Sequence, residues 1–379
     1  MKIALKISIF VFLFTISNTV ISQESLKILT YNIQGMKPGT MPGIRLAFIM
    51  EKIILLDPDI IGLQEINGSL DGDDNQCTEI ADALSAYYNL PYRCYQQFTH
   101  LSWDNQYRES IGIVTKHPVI DSGFHQLATG VFPRKVVWNY IETPLGKVNF
   151  FNTHLSFNSS AVRLQQAGQI MEYTQDVIGE YPASATFLTG DFNDQPNTPT
   201  IQLLTNTESD TTFFDSYAIA NPGSPGYTVP SNDPNKRIDY VFLSNISSLA
   251  TDTSIVIPDS VIILDLYSSD HLGVMSTFTV DASGIGQKFH NRPNFELFQN
   301  HPNPVKNMTN IPYILNKSGH VKLSVFNQLG VEVAVIKNAF CQSGKYHPSF
   351  NTTKLPGGIY FYTLISDGFA QTKKMFVVK

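Results

Sequence analysis

Short apolar segments that alternate between helical and strand-like spacing most constrain the fold of this 379-residue chain. Leu46, Ile49 and Ile53 follow helical spacing. This pattern ends before Pro58, and residues 60–63 then form an apolar run that suits a strand buried on both faces. Further helical patterns cover residues 77–88 and 161–178, and further strand-like runs cover residues 26–31, 111–115, 136–142, 148–152, 186–189, 239–243 and 274–280. Interleaved strands and helices predict an α/β fold in which two sheets form a sandwich with helices outside.

Charge divides the chain near residue 285. Residues 24–284 hold 13 Lys and Arg against 29 Asp and Glu, a net charge of −16, whereas residues 285–379 hold 11 against 3, a net charge of +8. The small-residue stretch 281–286 lies at this change and is typical of a linker. We therefore predict four segments: a signal peptide (1–22), a catalytic domain (23–284), a linker (285–295) and a C-terminal domain (296–379).

The N-terminus has the three-part pattern of a cleaved secretory signal. Two lysines precede an apolar run over residues 7–16, and polar residues follow. A buried N-terminal helix is the alternative. Export would permit disulfide formation, and Cys77 and Cys94 could then close a short loop, which would leave Cys341 over.

Polar residues that can bind a metal or move a proton recur at the ends of the predicted strands. Each one alone has an ordinary explanation, such as a solvated surface carboxylate or a turn. Because they occur together in one domain, coincidence is a poor explanation. The pattern therefore predicts a catalytic or metal-binding site. Asp191 and Asn193 lie two apart on an extended chain, so both can point into one cleft.

Six short motifs at or near the predicted strand ends contain these polar residues: Thr30–Ile33, Leu63–Glu65, Asn152–His154, Gly190–Asn193, Arg237–Tyr240 and Ser269–His271. They appear in the order found in the endonuclease/exonuclease/phosphatase superfamily, which the sequence resembles. The resemblance covers residues 26–280 and implies a four-layer α-β-β-α sandwich like that of deoxyribonuclease I. It also implies metal-dependent hydrolysis of phosphoesters.

The resemblance implies a metal site made by Asn32 and Glu65, with a contribution from Asp270. Carboxylates and amide oxygens are the ligands that a hard divalent cation prefers. We expect Mg²⁺ at this site, with Mn²⁺ or Ca²⁺ as alternatives.

The resemblance also implies the catalytic groups. His271, oriented by Asp239, is expected to act as the general base or to polarise the phosphate. Asp191 is the expected acid–base carboxylate, Asn193 the amide that stabilises the transition state, and His154 a donor to a phosphate oxygen. Hydrolysis of an anionic ester needs such donors and a positioned base, because the anion repels hydroxide.

Four further residues are weaker candidates for substrate binding. Glu109 resembles a glutamate that orients the equivalent of His154 in deoxyribonuclease-like relatives. Arg134 and Arg163 could contact a phosphate or head group, and Arg237 lies next to the predicted site. A surface or ion-paired role is the alternative for each.

The expected function is that of a secreted, divalent-metal-dependent phosphoesterase that acts on a phosphodiester through metal-assisted attack by water. A net charge of −16 argues against nonspecific binding to nucleic acid. A nuclease, a sphingomyelinase-like phospholipid diesterase, a small-molecule phosphatase and a non-catalytic surface binding protein stay open. The partner is a phosphoester substrate, and no stable protein partner is predicted.

Residues 296–379 predict a small all-β sandwich, because apolar and polar residues alternate, as in Val321, Leu323 and Val325. Three segments resemble the C-terminal sorting domain of type IX secretion in Bacteroidetes-type bacteria: 297–304, 355–360 and 373–375. The resemblance implies engagement with that secretion machinery and a secreted or cell-surface location. A carbohydrate-binding or adhesive module is the alternative.

Overall fold

The computed structural model describes residues 24–280 and 295–379, except for residues 73, 207–208, 210, 246, 264, 316–317, 328–330 and 367–368. The predicted signal peptide and all but the last residue of the predicted linker lie outside the described residues.

Two six-stranded sheets organise residues 24–280. The strands are β1 Ser25–Asn32, β2 Ile60–Gly68, β3 Arg93–Ser102, β4 Tyr107–Thr115, β5 Val119–Gln126, β6 Lys135–Thr143, β7 Gly146–His154, β8 Ala185–Asp191, β9 Phe213–Asp215, β10 Asp239–Ser244, β11 Leu249–Val256 and β12 Val274–Val280. The first sheet has the order β11-β12-β1-β2-β4-β3, and the second has the order β5-β6-β7-β8-β10-β9. The helices are α1 Pro42–Leu56, α2 Gln76–Tyr88, α3 Ser160–Glu180, α4 Pro199–Leu204 and α5 Ser216–Ala220.

Alternation along β1 shows how the layers form. Leu26 and Ile28 are buried in the core between the two sheets, where they join Phe150 of the second sheet. Leu29 and Tyr31 point to the opposite face and pack in a second core with α1 and α2. A third core joins the other face of the second sheet to α3 and α4. These three cores confirm the predicted α-β-β-α sandwich.

Strand direction brings the polar strand ends to one edge of the sandwich. β1 and β2 are parallel, and so are β7 and β8. His154 at the end of β7 lies opposite Asp191 at the end of β8. β10 runs antiparallel to β8, so its first residue, Asp239, also lies opposite Asp191. The carboxyl ends of parallel strands meet at one edge, and this edge carries the candidate site.

The disulfide that the sequence left open is present. Cys77 of α2 is bonded to Cys94 of β3, with a Cα–Cα distance of 5.8 Å. The bond fixes a helix of the outer layer to an edge strand of the first sheet. Cys341 is buried and is a free cysteine.

Residues 295–379 are all-β, as predicted. The strands are β13 Phe295–Leu297, β14 Met308–Asn310, β15 Tyr313–Leu315, β16 Gly319–Phe326, β17 Glu332–Cys341, β18 Gly344–Tyr346, β19 Ser349–Asn351, β20 Gly358–Ser366 and β21 Phe369–Val377. Its largest sheet has the order β17-β16-β20-β21. Val321, Leu323 and Val325 are buried together with Tyr362 and Leu364. None of the helices in the described part of the chain has the length and apolar character needed to cross a bilayer.

Candidate active site

Asp191 lies at the centre of the site, at the end of β8. Its Oδ2 atom accepts a hydrogen bond of 3.1 Å from Nδ2 of Asn32, and it lies 3.4 Å from Nε2 of His154 and 3.7 Å from Nε2 of His271. Its Oδ1 atom accepts a bond of 2.8 Å from the backbone N–H of Asn193. One buried carboxylate therefore connects four of the residues that the sequence predicted.

Gly190 allows β8 to approach β7 this closely. It has a φ of +149°, and a Cβ atom there would lie 2.1 Å from the carbonyl oxygen of Thr153. Only glycine avoids this clash with backbone. The side-chain amide of Asn193 donates to the carbonyl oxygen of Leu155, at 3.1 Å. Asn193 therefore fixes the loop after β8 against the end of β7 and positions Asp191 through its backbone.

Asp239 orients His271. Nδ1 of His271 lies 3.1 and 3.0 Å from the two carboxylate oxygens of Asp239, so Nδ1 carries a proton. The hydroxyl of Thr228 donates to Oδ2 of Asp239 at 2.6 Å. This arrangement leaves Nε2 of His271 facing Asp191 and the cleft. The sequence analysis expected Asp239 to orient this histidine, and the structure places the two side chains in contact.

The carboxylates on both sides make His271 a cation. Burial alone lowers the pKa of His271, but Asp239 and Asp191 raise the pKa well above its ordinary value. Burial and the carboxylate of Asp239 raise the pKa of Asp191, His271 lowers it, and the net result is a pKa of about 7. At neutral pH His271 can therefore donate from Nε2 to an anion, and Asp191 has the pKa of a useful general base.

Arg134 determines the tautomer of His154. Its Nη1 atom lies 3.1 Å from Nδ1 of His154. Because a guanidinium group can only donate, Nδ1 accepts, and the proton of the neutral ring is on Nε2. Burial and the nearby Arg134 hold the pKa of His154 well below its ordinary value. His154 is therefore a neutral histidine whose N–H is aimed at Asp191 and the cleft.

Glu109 acts on Arg134 and not on His154, which corrects the predicted contact. Its Oε1 atom lies 3.7 Å from Nη1 of Arg134. Burial and the carboxylate of Glu65 raise the pKa of Glu109, Arg134 lowers it, and the net result is a pKa of about 8. The guanidinium group of Arg134 lies between Glu109 and His154, so Arg134, and not Glu109, contacts the histidine directly.

A β-bulge brings Glu65 into the site. On β2, Ile61 and Leu63 face the helices, and strict alternation would place Glu65 on that same face. The register with β4 shifts between Leu63 and Ile66, and Glu65 has a φ of +55°. A bulge changes the direction of a side chain. Glu65 consequently accepts a hydrogen bond of 3.1 Å from Nδ2 of Asn32.

The predicted metal ligands have the composition that suits a hard divalent cation. Burial raises the pKa of Glu65, and the nearby carboxylate of Asp270 raises it further, as expected for two anionic groups that share a site. Together with the amide of Asn32 they offer the oxygen ligands that Mg²⁺ prefers. The amide presents its nitrogen to Glu65 and Asp191, and its oxygen accepts from the backbone N–H of Gln34. Binding a cation through the amide oxygen requires this side chain to turn over.

A second set of candidate ligands overlaps the acid–base groups. Ligand atoms of Asp191, Asp239 and His271 all lie within 4.8 Å of one another. Both oxygens of Asp239 are already near Nδ1 of His271, and one accepts from a hydroxyl group. The pair formed by Glu65 and Asp270 has fewer such partners, so we favour it as the metal position.

Arg163 and Arg237 are engaged by protein groups. Nε of Arg163 donates to Asp194 at 3.0 Å, and its Nη1 donates to the carbonyl oxygen of Ser156 at 3.1 Å. Arg237 is paired with Asp215 and lies over the ring of Tyr240, with 5.0 Å between Cζ and the ring centroid. Their contacts among the described residues are those of loop-positioning groups, so their predicted role in substrate binding gains no support.

Arg45 was not predicted from the sequence, yet it connects two loops of the site. It is 1% exposed and donates to the carbonyl oxygens of Ile33, Gln34 and Gly35, after Asn32, and to that of Ser268, before Asp270. A lone arginine in an amphipathic helix gives no sequence signal for this role. Only the packing of α1 against both loops shows it.

Below the site, a polar cluster joins the two sheets. Nε2 of Gln64 donates to Oδ1 of Asn152 at 2.7 Å, and the hydroxyl of Thr189 lies 3.3 Å from the same oxygen. Nδ2 of Asn152 donates to the carbonyl oxygens of Leu63 and Gly112, at 3.0 and 2.8 Å. These bonds join buried groups of the two sheets beneath the catalytic edge, although Oε1 of Gln64 is buried and has no hydrogen-bond partner among the described residues.

The candidate site on this edge is made of carboxylates and histidines at the ends of strands. The sequence profile described as the Endonuclease/Exonuclease/phosphatase family matches residues 29–271, and the chain belongs to this family. Members of the family are hydrolases and are typically metal-dependent. A profile for a secretion system C-terminal sorting domain matches residues 300–379, which confirms the predicted sorting domain. It indicates type IX secretion to the cell surface or the medium.

Solved structures share the fold at low sequence identity. An endonuclease/exonuclease/phosphatase family protein from Bacteroides thetaiotaomicron is 21% identical, with 69% of this chain and 97% of that chain covered and a TM-score of 0.56. A mannosyl-6-phosphatase from the same organism is 20% identical, with 67% and 99% covered and a TM-score of 0.56. A family protein from Leptotrichia buccalis is 21% identical, with 67% and 99% covered and a TM-score of 0.53. A search of the curated proteins finds no match.

Proposed function

We propose that the protein is a divalent-cation-dependent phosphoesterase that cleaves phosphodiesters by attack of water. The observation that carries the proposal is the arrangement around Asp191. Its Oδ2 atom lies within 3.7 Å of Nε2 of both His154 and His271, so a base and two N–H donors face one point. A general base and preorganised donors to developing negative charge are what this hydrolysis needs.

Each side chain then has one role. Asp191 accepts a proton from the water that attacks phosphorus, while the bond between phosphorus and the leaving oxygen breaks. The imidazolium of His271 and the neutral N–H of His154 donate to non-bridging oxygens. Glu65, Asp270 and Asn32 would hold the cation, which when bound neutralises phosphoryl charge.

A phosphomonoester of a small molecule is the second candidate. The catalytic domain carries a net charge of −16 over residues 24–284, which disfavours a polyanionic substrate such as DNA. The structural similarity to a mannosyl-6-phosphatase also supports this candidate.

The test compares hydrolysis of bis-p-nitrophenyl phosphate, p-nitrophenyl phosphate and supercoiled plasmid by the purified protein in Mg²⁺. We expect diester hydrolysis that Asp191→Asn reduces by at least about a hundredfold, because the base is removed. Asp252→Asn is the matched control, since Asp252 is an exposed carboxylate on β11. Activity on the monoester alone would select the second candidate, and plasmid nicking would select a nuclease. Hydrolysis of all three substrates by the Asp191→Asn variant at the wild-type rate would refute the proposed mechanism.

A further inference from the structure

Three aromatic side chains form a rim next to the candidate active site, and none of them has a role in the proposed chemistry. The rings of His100 and Phe132 are stacked with 4.3 Å between centroids and an angle of 17°. Phe157 follows at 6.2 Å from the ring of Phe132. Phe132 is 37% exposed and Phe157 is 53% exposed. We call these three residues the aromatic rim.

Covalent and hydrogen-bonded neighbours tie the aromatic rim to the catalytic groups. Phe132 lies two residues before Arg134 in the sequence, and Arg134 contacts His154. Phe157 follows His154 by three residues, and its carbonyl oxygen accepts a bond of 3.2 Å from Arg163. Phe132 and Phe157 therefore lie in the loops next to Arg134 and His154, and Nε2 of His100, on β3, lies 3.7 Å from Oε1 of Glu109.

The aromatic rim carries no charge at neutral pH. Burial and the nearby Arg134 lower the pKa of His100 to about 4, so its ring is neutral. The other two members are phenylalanines, and Val131, 56% exposed, extends the apolar surface. Large apolar side chains that stay exposed together beside a cleft commonly mark a binding surface.

We propose that the aromatic rim is a subsite for a ring in the alcohol part of the substrate. The ligand is a small phosphoester whose esterified group presents a flat, uncharged face, as a nucleobase or a sugar ring does. Aromatic side chains bind such faces through stacking and apolar contact. This inference rests on the proposed function, because the phosphate must occupy the cleft for the ring to reach the rim.

The charge of the domain favours a small ligand over the other occupants of an apolar surface. Nucleic acid brings many phosphates to a domain with a net charge of −16, whereas a small ester brings one. A lipid surface is the competing occupant, and the experiment below includes it.

The first experiment measures kcat and KM for benzyl phosphate and butyl phosphate, or for their methyl diesters if only diesters are cleaved. Both are esters of simple alcohols, but only the first has a ring. For the double variant Phe132→Ala/Phe157→Ala we expect KM for the benzyl ester to rise about tenfold while KM for the butyl ester changes less than about twofold. The kcat values should stay close to the wild type. Phe157→Trp should retain the low KM for the benzyl ester.

Tyr87→Ala is the matched control, because Tyr87 is an aromatic residue of α2 that is 64% exposed. It lies away from the site, since its neighbour Tyr88 contacts the carbonyl oxygen of Ile54 near the end of α1. Uridine 5′-phosphate and a hexose 6-phosphate, assayed in the same way, distinguish a nucleobase from a sugar as the bound ring. Equal changes in KM for the benzyl and butyl esters would overturn the proposal. Binding to phosphatidylcholine vesicles that the double variant loses, with unchanged KM for the benzyl ester, would overturn it in favour of a lipid surface.

Failure of the proposed function gives a different result. If the wild type cleaves no phosphoester, calorimetric titration of the same two esters still tests the rim. Tighter binding of the benzyl ester that the double variant loses supports the subsite, and equal binding of both esters refutes it.

Discussion

Replacing Arg45 by methionine tests whether this buried residue holds the site together. Arg45 donates buried hydrogen bonds to four backbone carbonyl groups in two loops, at distances of 2.6 to 3.2 Å, and its Nε also donates to the partly buried carbonyl oxygen of Thr40 at 3.2 Å. Methionine has a similar length but no donor, so Arg45→Met leaves these carbonyl oxygens without that partner. One loop follows Asn32 and the other precedes Asp270, so two of the three predicted metal ligands are affected.

The cost of this change follows from the hydrogen bonds. Each buried carbonyl that loses its partner costs about 1 kcal/mol at the low end, which gives about 4 kcal/mol for four groups. Burial lowers the pKa of Arg45, so part of this loss is offset because the variant no longer buries a charge. We expect a net loss of about 3 kcal/mol, which corresponds to a decrease of about 10 °C in Tm for a unit of this size.

Thermal unfolding measures the stability, and a titration of activity against Mg²⁺ measures the effect on the site. Loss of positioning around the ligands should raise the Mg²⁺ requirement by about tenfold or more. Arg45→Lys should give intermediate values, because one ammonium group cannot reach both loops with the geometry of a guanidinium. Arg93→Met is the matched control, since Arg93 is exposed at the start of β3. An unchanged Tm together with an unchanged Mg²⁺ requirement for Arg45→Met would refute the reasoning.

Three further outcomes are expected. Excess EDTA should abolish phosphoester hydrolysis and added Mg²⁺ should restore it, and full activity in EDTA would exclude a cation from the mechanism. The pKa of His100 falls from 6.5 to about 4 on folding, so the unfolded chain binds its proton first and stability is lost as the pH falls through this range. As the pH falls from 7 to 4, the Tm of the wild type should therefore decrease more than the Tm of His100→Phe. A difference in Tm between the two proteins that does not change with pH would contradict this expectation. Cys94→Ser removes the disulfide bond between two residues that are 17 apart in sequence, so it should lower the free energy of unfolding by about 3 kcal/mol, as measured by denaturant unfolding. An unchanged free energy of unfolding would contradict this expectation.

Burial explains which strands the sequence could predict. The strands of residues 24–280 that apolar runs predicted all lie inside the two sheets. The strands that were missed in residues 24–280, β3, β5, β9 and β11, are the four sheet edges. β5, for example, alternates only between intermediate and exposed residues. An edge strand needs little apolar surface, so it gives a weak periodic signal.

The sequence by itself determined the sandwich, the sorting domain and the residues that meet at one edge. The reason is that buried strands produce apolar runs in the sequence, and each motif is a short local stretch of residues. Tertiary structure alone decided how the site is connected. The bulge at Glu65, the contact of Arg134 with His154 and the four carbonyl bonds of Arg45 join residues that no spacing rule relates. Hydrogen bonds between distant segments depend on the packing of whole layers, and for that reason local sequence could not predict them.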